Sequence, residues 1–236
     1  DISGEQRLVN LMLDGSQLTG TSIDGLYAKG NVQNVVLQDV CIRQMPNNGI
    51  VTASRTDGLF PYSWRLHQVM IDNCHGNGIL FNQNTDLTLD DVQVIGCWAQ
   101  GVVLTNCANS ILVGCRAEWN GSHGFHLTGN WGNWSGSGAA QMIGCSTDRN
   151  GQYGVLIDAT GNGPMILSGL MTRRDGRNGG TGGGGYAGLA IAANGVPVIV
   201  TGMSCYPGTD DAGTQALLTV NSSAAELTPS LACTTG

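Results

Sequence analysis

A chain of 236 residues with a formal net charge of -7 and only 11% charged residues lacks the clustered lysines and arginines that neutralising a phosphate backbone requires, so nucleic acid is not an expected partner. No run of eighteen apolar residues occurs, and a membrane-spanning helix is not expected. Lysine appears once and glutamate three times beside 37 glycines, which starves exposed helix faces and argues against helical repeats.

The chain begins at Asp1 without an initiator Met or a signal-like segment, which reads as a processed start or the edge of a longer chain. Residues 1–24, with Leu8, Leu11 and Leu13 before the turn Asp14-Gly15-Ser16, read as an incomplete first coil. Then come Leu26, the turn Lys29-Gly30-Asn31, and the alternating run Val35, Leu37, Val40, Ile42. Such alternation marks a strand with one buried face. Later segments repeat it as Leu66, Val69, Ile71; Leu87, Leu89, Val92, Val94; Ile111, Val113; Met142, Ile143; Met165, Leu167, Leu170; and Val198, Val200, Met203.

Between these runs lies a second signature, glycine followed by apolar alternation, at Gly25, Gly49, Gly78, Gly101, Gly124, Gly154 and Gly188, with Ala216 as a degenerate copy. The intervals are 24, 29, 23, 23, 30, 34 and 28 residues. A period of this size marks a solenoid, whose units bury their apolar faces only by stacking. At least two short strands per unit, separated by Gly, Asn and Asp turns, leave no room for a helix. A leucine-rich repeat is disfavoured because every unit carries a second apolar pair. Inward positions Phe81, Leu104, Leu127 and Ile157, each three residues after a key glycine, are expected in one column.

Three long intervals locate insertions at residues 54–63, 128–139 and 173–186. The first two leave the same corner and carry Tyr62, Trp131 and Trp134, flat faces able to stack on pyranose rings. The third contains a glycine run without the Lys-Ser/Thr ending of a phosphate loop. Eight cysteines are spaced with the repeat, as at Cys74 and Cys97 and at Cys115 and Cys145, which predicts a ladder of stacked free thiols; disulfides are the alternative. Metal-ligand spacing is missing, and neither a metal nor a cofactor is expected.

Aligned turns place Glu118, Asp148 and Arg173 in one outward row with Trp119, Arg149 and Arg174 beside it. Two carboxylates on successive coils would stand about 5 Å apart, the separation of a retaining glycosidase pair. This makes Glu118 and Asp148 candidates for acid/base and nucleophile, Arg173 a charge-holding partner and Trp119 an added sugar contact; the alternative is a solvated ion ladder. His75, His123 and His126 lie near the glycine corner, where surface histidines are the default. Positions two after each key glycine (Tyr27, Val51, Leu80, Val103, His126, Leu156, Ala190) form a mostly apolar outward stripe that needs a cover.

The glycine-apolar strands, the polar residue four before the glycine (Asn120, Asn150, with Asp175 aligned) and the 23-residue interval resemble the right-handed parallel β-helix of the pectate-lyase-like superfamily, closest in character to bacteriophage tail-spike and tail-fibre domains. The resemblance covers residues 8–233 and implies an all-β solenoid of about eight rungs. It also implies one domain over 1–236 that is a fragment of a longer chain with flanking domains. Polysaccharide is the implied partner, the stripe the implied seat of a homotrimer, and the location extracellular or virion-associated. Whether a bond is cleaved stays open. Asn84-Thr85-Asp86 and Asp90-Asp91 resemble polygalacturonase fragments, but that family's later Gly-His-Gly and Arg-x-Lys are missing. A secreted polysaccharide lyase or glycoside hydrolase and a noncatalytic adhesin or scaffold are the alternatives.

Overall fold

The computed structural model describes residues 5–54, 58–131, 138–179, 186–193 and 195–206, with the backbone of the strand Ala216–Val220. It is a single-stranded parallel β-helix with two sheets, one of 13 strands and one of 8. One coil consists of Ser110–Val113, Arg116–Glu118 and Phe125–Asn130, and the next of Ala140–Ile143, Ser146–Asp148 and Val155–Thr160. Each strand pairs in parallel with its counterpart one coil on, as Phe125 pairs with Val155 and Arg116 with Ser146.

The first apolar run of each coil bends at a left-handed residue. In the early coils this is Asn10, Asp39 or Gln68, inside strands of eight or nine residues. From Asp91 onward it splits the run into two short strands, and glycine takes the place at 114, 144, 169 and 202. There are thus three strands per coil in the later part of the helix.

The key glycines are explained by closeness rather than by backbone angle. A Cβ on Gly101 would lie 2.5 Å from the Gly124 carbonyl oxygen, and one on Gly124 2.5 Å from that of Gly154. Coils touch there, and only glycine fits.

Phe81, Leu104, Leu127 and Ile157 stand in register and are fully buried, as the glycine spacing predicts. A parallel column joins Leu66, Leu89, Leu112 and Met142. Here the sequence reading is corrected: Leu112 faces the core, while Ile111 and Ile143 are 38% and 41% exposed on the outer face. Three consecutive apolar residues at 111–113 left the phase of the alternation ambiguous. Cys74, Cys97, Cys107, Cys115, Cys145 and Cys205 are buried free thiols, which stack across coils as two pairs, Cys74 with Cys97 and Cys115 with Cys145, rather than as one ladder, whereas Cys41 is half-buried.

Toward the last coils the inward turn column becomes polar. Cys97 N donates to Asn120 Oδ1, Asn120 donates to Asn150 Oδ1, and Asn150 donates to Asp175 Oδ1. Every member of this column is buried, so the amides satisfy one another down the stack.

Candidate functional site: one corner of the helix

The corner that leads from the 13-stranded sheet into the second sheet is built on tight turns. Its left-handed position is filled by Gln44, Asn73, Gly96, Trp119, Arg149 and Arg174. Such backbone aims these side chains outward at a conformational cost that glycine avoids at 96.

Glu118, Asp148 and Arg173 stand in register on three successive coils, as the aligned turns predict. Asp148 is held hard. Arg174 donates Nε to its Oδ1 at 2.9 Å and Nη2 to its Oδ2 at 2.6 Å, Arg149 donates Nη1 to Oδ2 at 3.1 Å, and Arg173 Nη2 lies 3.3 Å away. Its side chain is only 4% exposed. Glu118, 13% exposed, pairs with Arg116 and lies 3.9 Å from Arg173. Trp119 is 43% exposed, with the guanidiniums of Arg149 and Arg177 at 4.8 and 5.0 Å from its ring centre, a cation–π arrangement that holds the indole upright.

Arg177 arrives from a short 3-10 turn, Arg177–Gly179, that folds back over the corner. Its guanidinium donates to the carbonyls of Arg149, Trp119 and Asn120, and Asn178 donates to those of Gly121 and Gly151. Nothing periodic in the sequence announces this return, and the sequence reading missed it.

Further down the same corner Trp98 is 66% exposed and lies flat on His75, with ring centres 3.8 Å apart and planes 15° apart. The pair closes one side of a cleft of about 710 Å³ whose other walls are residues 15–21 without Gln17, with Gln44, Pro46 and Asn73. Trp98 escaped the sequence reading, although a signal existed. Cys97 points inward, so its neighbour in a tight turn points out.

The remaining expected sugar contacts fall elsewhere. Trp131 is corrected outright: it is fully buried, its N–H donates to Thr160 O and its indole Nε1 to Thr128 O, both at 2.8 Å. It plugs the core beside Gly138 and Gly163, whose missing side chains make room for its backbone. Tyr62 is half-buried, its hydroxyl bonded to Gln33. Trp134 lies outside the described residues. Trp131 follows the strand Phe125–Asn130 whereas Trp119 precedes it, so roughly 20 Å of strand separates the two corners.

The histidines also divide. His75 belongs to the Trp98 cleft. His126 lies between Gln100 Oε1 at 2.8 Å and Asp158 Oδ1 at 2.9 Å on the outer face of the second sheet. His123 stacks on Tyr153, and burial pushes its pKa down to about 4. Among the described residues no three metal-binding side chains converge, and no helix is long and apolar enough to cross a membrane. The outward stripe is more recessed than expected, with Val51 at 7%, Val103 at 5% and Ala190 at 5% exposure.

A family model described as "Right handed beta helix region" matches residues 77–168. Tailspike protein 2 of bacteriophage CBA120, as its enzymatically active domain, superposes with a TM-score of 0.54 at 14% identity over 94% of this chain. Full-length tailspike protein 2 from Escherichia coli O157:H7 bacteriophage CAB120 gives 0.55 at 12% identity, again over 94%. The chain spans about a third of the length of these two structures, 35% of each. Register, family match and structural likeness agree: the chain is a right-handed parallel β-helix.

Proposed function

We propose that this chain is the glycan-recognising β-helix of a phage tail spike or tail-fibre protein, virion-associated and joined to flanking domains, which binds host surface polysaccharide along the Trp98–Trp119 corner. The observation that carries the reading is Trp98, 66% exposed and held flat on His75 at the edge of a cleft of about 710 Å³. A rigid aromatic face offers a pyranose ring large contact area at little entropic cost, and Ser16, Gln44 and Asn73 beside it can hydrogen-bond hydroxyls. Assembly as a homotrimer through the outward stripe belongs to the same reading.

Cleavage is the second reading, favoured by the register of Glu118 on Asp148. In it Glu118 is the acid/base, Asp148 the nucleophile and Arg173 the residue that holds charge. The enclosure of Asp148 by guanidiniums supports a purely structural ion ladder instead, because a clamped carboxylate is poorly placed to attack a ring carbon. The test is binding of bacterial surface polysaccharides by the wild type and by Trp98→Ala, with new reducing ends or unsaturated uronate absorbance followed in parallel. Loss of about tenfold in affinity is expected for the variant; unchanged binding would overturn the corner as the glycan site. Turnover lost in Glu118→Gln with Asp148→Asn, binding retained, would establish the cleaving pair.

A further inference from the structure

The chain is acidic overall, yet five of its nine arginines gather at one corner: Arg149 and Arg177 over Trp119, and Arg116, Arg173 and Arg174 against Glu118 and Asp148. They face two carboxylates, Glu118 and Asp148. The next acid, Asp175, is 1% exposed, with its oxygens taken up by Asn150 and Thr147. Two arginines would be enough for an ion ladder. Arg174 alone holds Asp148 through both its oxygens, and Arg116 holds Glu118.

The others exceed that need. Arg174, Arg149 and Arg116 already donate to the two carboxylates, which accept at most about eight hydrogen bonds between them. Arg173 Nε is buried without a hydrogen-bond partner, and the Arg173 side chain is still 35% exposed. Arg177 spends donors on backbone carbonyls and keeps its charge over Trp119. Like charges held this close repel one another, and an arriving anion would relieve that repulsion while taking up the spare forked donors.

We propose that the corner binds an anionic sugar unit, a uronate carboxylate or a sugar phosphate, through Arg173 and Arg177, with Trp119 and Trp98 holding neighbouring units. This rests on the glycan-binding reading above and narrows its ligand class. An acidic chain with one cationic corner would repel polyanions elsewhere and orient them there.

The experiment measures binding to acidic capsular polysaccharides, teichoic polymers, dextran and mannan at 50 and 200 mM salt. Each polymer that binds is then retested after its carboxyl groups are reduced or its phosphates are removed. The expected result is binding confined to anionic polymers, weakened several-fold by the added salt and lost on neutralising the polymer. Arg173→Gln with Arg177→Gln should lower affinity about tenfold or more. The neutralised polymer tests the idea on unaltered protein, whatever the fold of that variant. Binding to dextran or mannan alone, or unchanged by neutralisation, would overturn the anionic class and leave glycan recognition standing. No binding to any polymer in the panel would overturn both.

Discussion

Asn150 donates its backbone N–H and its side-chain Nδ2 to the same carboxylate oxygen of Asp175, at 3.0 and 2.8 Å. These bonds favour the ionised acid, but burial outweighs them and pushes the Asp175 pKa up to about 7. In the unfolded chain it titrates near about 4. The folded protein therefore binds the extra proton between those values. The stability it contributes is complete below about pH 4 and is lost as pH rises through about 7. His123 acts in the opposite sense, its stabilisation being full above about 6.5 and lost as pH falls through about 4. Asp175→Asn continues the amide column and removes only the first effect. Melting curves from pH 4 to 8 should show the variant gaining on the wild type as pH rises; a constant difference would mean Asp175 does not titrate in this range.

Phe81 is fully buried between Thr52 and Leu104 on adjacent coils and meets Trp64 edge-on with ring centres 5.7 Å apart. Phe81→Ala should cost roughly 3–5 kcal/mol in chemical denaturation, the range for large-to-small core changes. A cost under about 1 kcal/mol would mean the column tolerates a void, contrary to close packing.

The thiols offer a sharper count. Cys107 is buried and its pKa is pushed up to about 12, and Cys74, Cys97, Cys115, Cys145 and Cys205 are equally enclosed, leaving Cys41 as the half-buried cysteine among the described residues. In a Cys233→Ala background, native protein should release about one reactive equivalent, which Cys41→Ser should abolish, and denatured protein all of the rest. Fewer thiols on denaturation would reveal cross-coil disulfides.

Much of this architecture is legible in the sequence because a stacked coil repeats its constraints. The glycine spacing fixes the phase of Phe81, Leu104, Leu127 and Ile157, and aligned Asn-Gly turns fix Glu118 over Asp148. What departs from the period is not legible. Trp131 follows a strand into an insertion, and whether such an indole faces sugar or core depends on the path of its backbone, which here packs against Gly138 and Gly163. Arg177 reaches carbonyls 57 and 58 residues back, a contact no local pattern encodes. Trp98 sits between: its direction follows from Cys97, but its support by His75 requires knowing that the two residues share a column.

The last prediction concerns association. On the second sheet Leu80 and Leu156 are half-buried and Tyr27 is 58% exposed, so a homotrimer through this stripe would remove apolar surface worth about 25 cal/mol per Å². The outer face of the 13-stranded sheet competes with it, since Ile111 and Ile143 are 38% and 41% exposed. Charges placed on each face separate the two. If the stripe is the interface, wild-type protein sediments as a trimer, Leu80→Glu with Leu156→Glu sediments as a monomer, and Ile111→Glu with Ile143→Glu leaves the trimer intact. The reverse pattern would move the interface to the 13-stranded sheet. A wild type that sediments as a monomer would remove the trimer, and the stripe would then be covered well enough by its own recess between the flanking outward side chains.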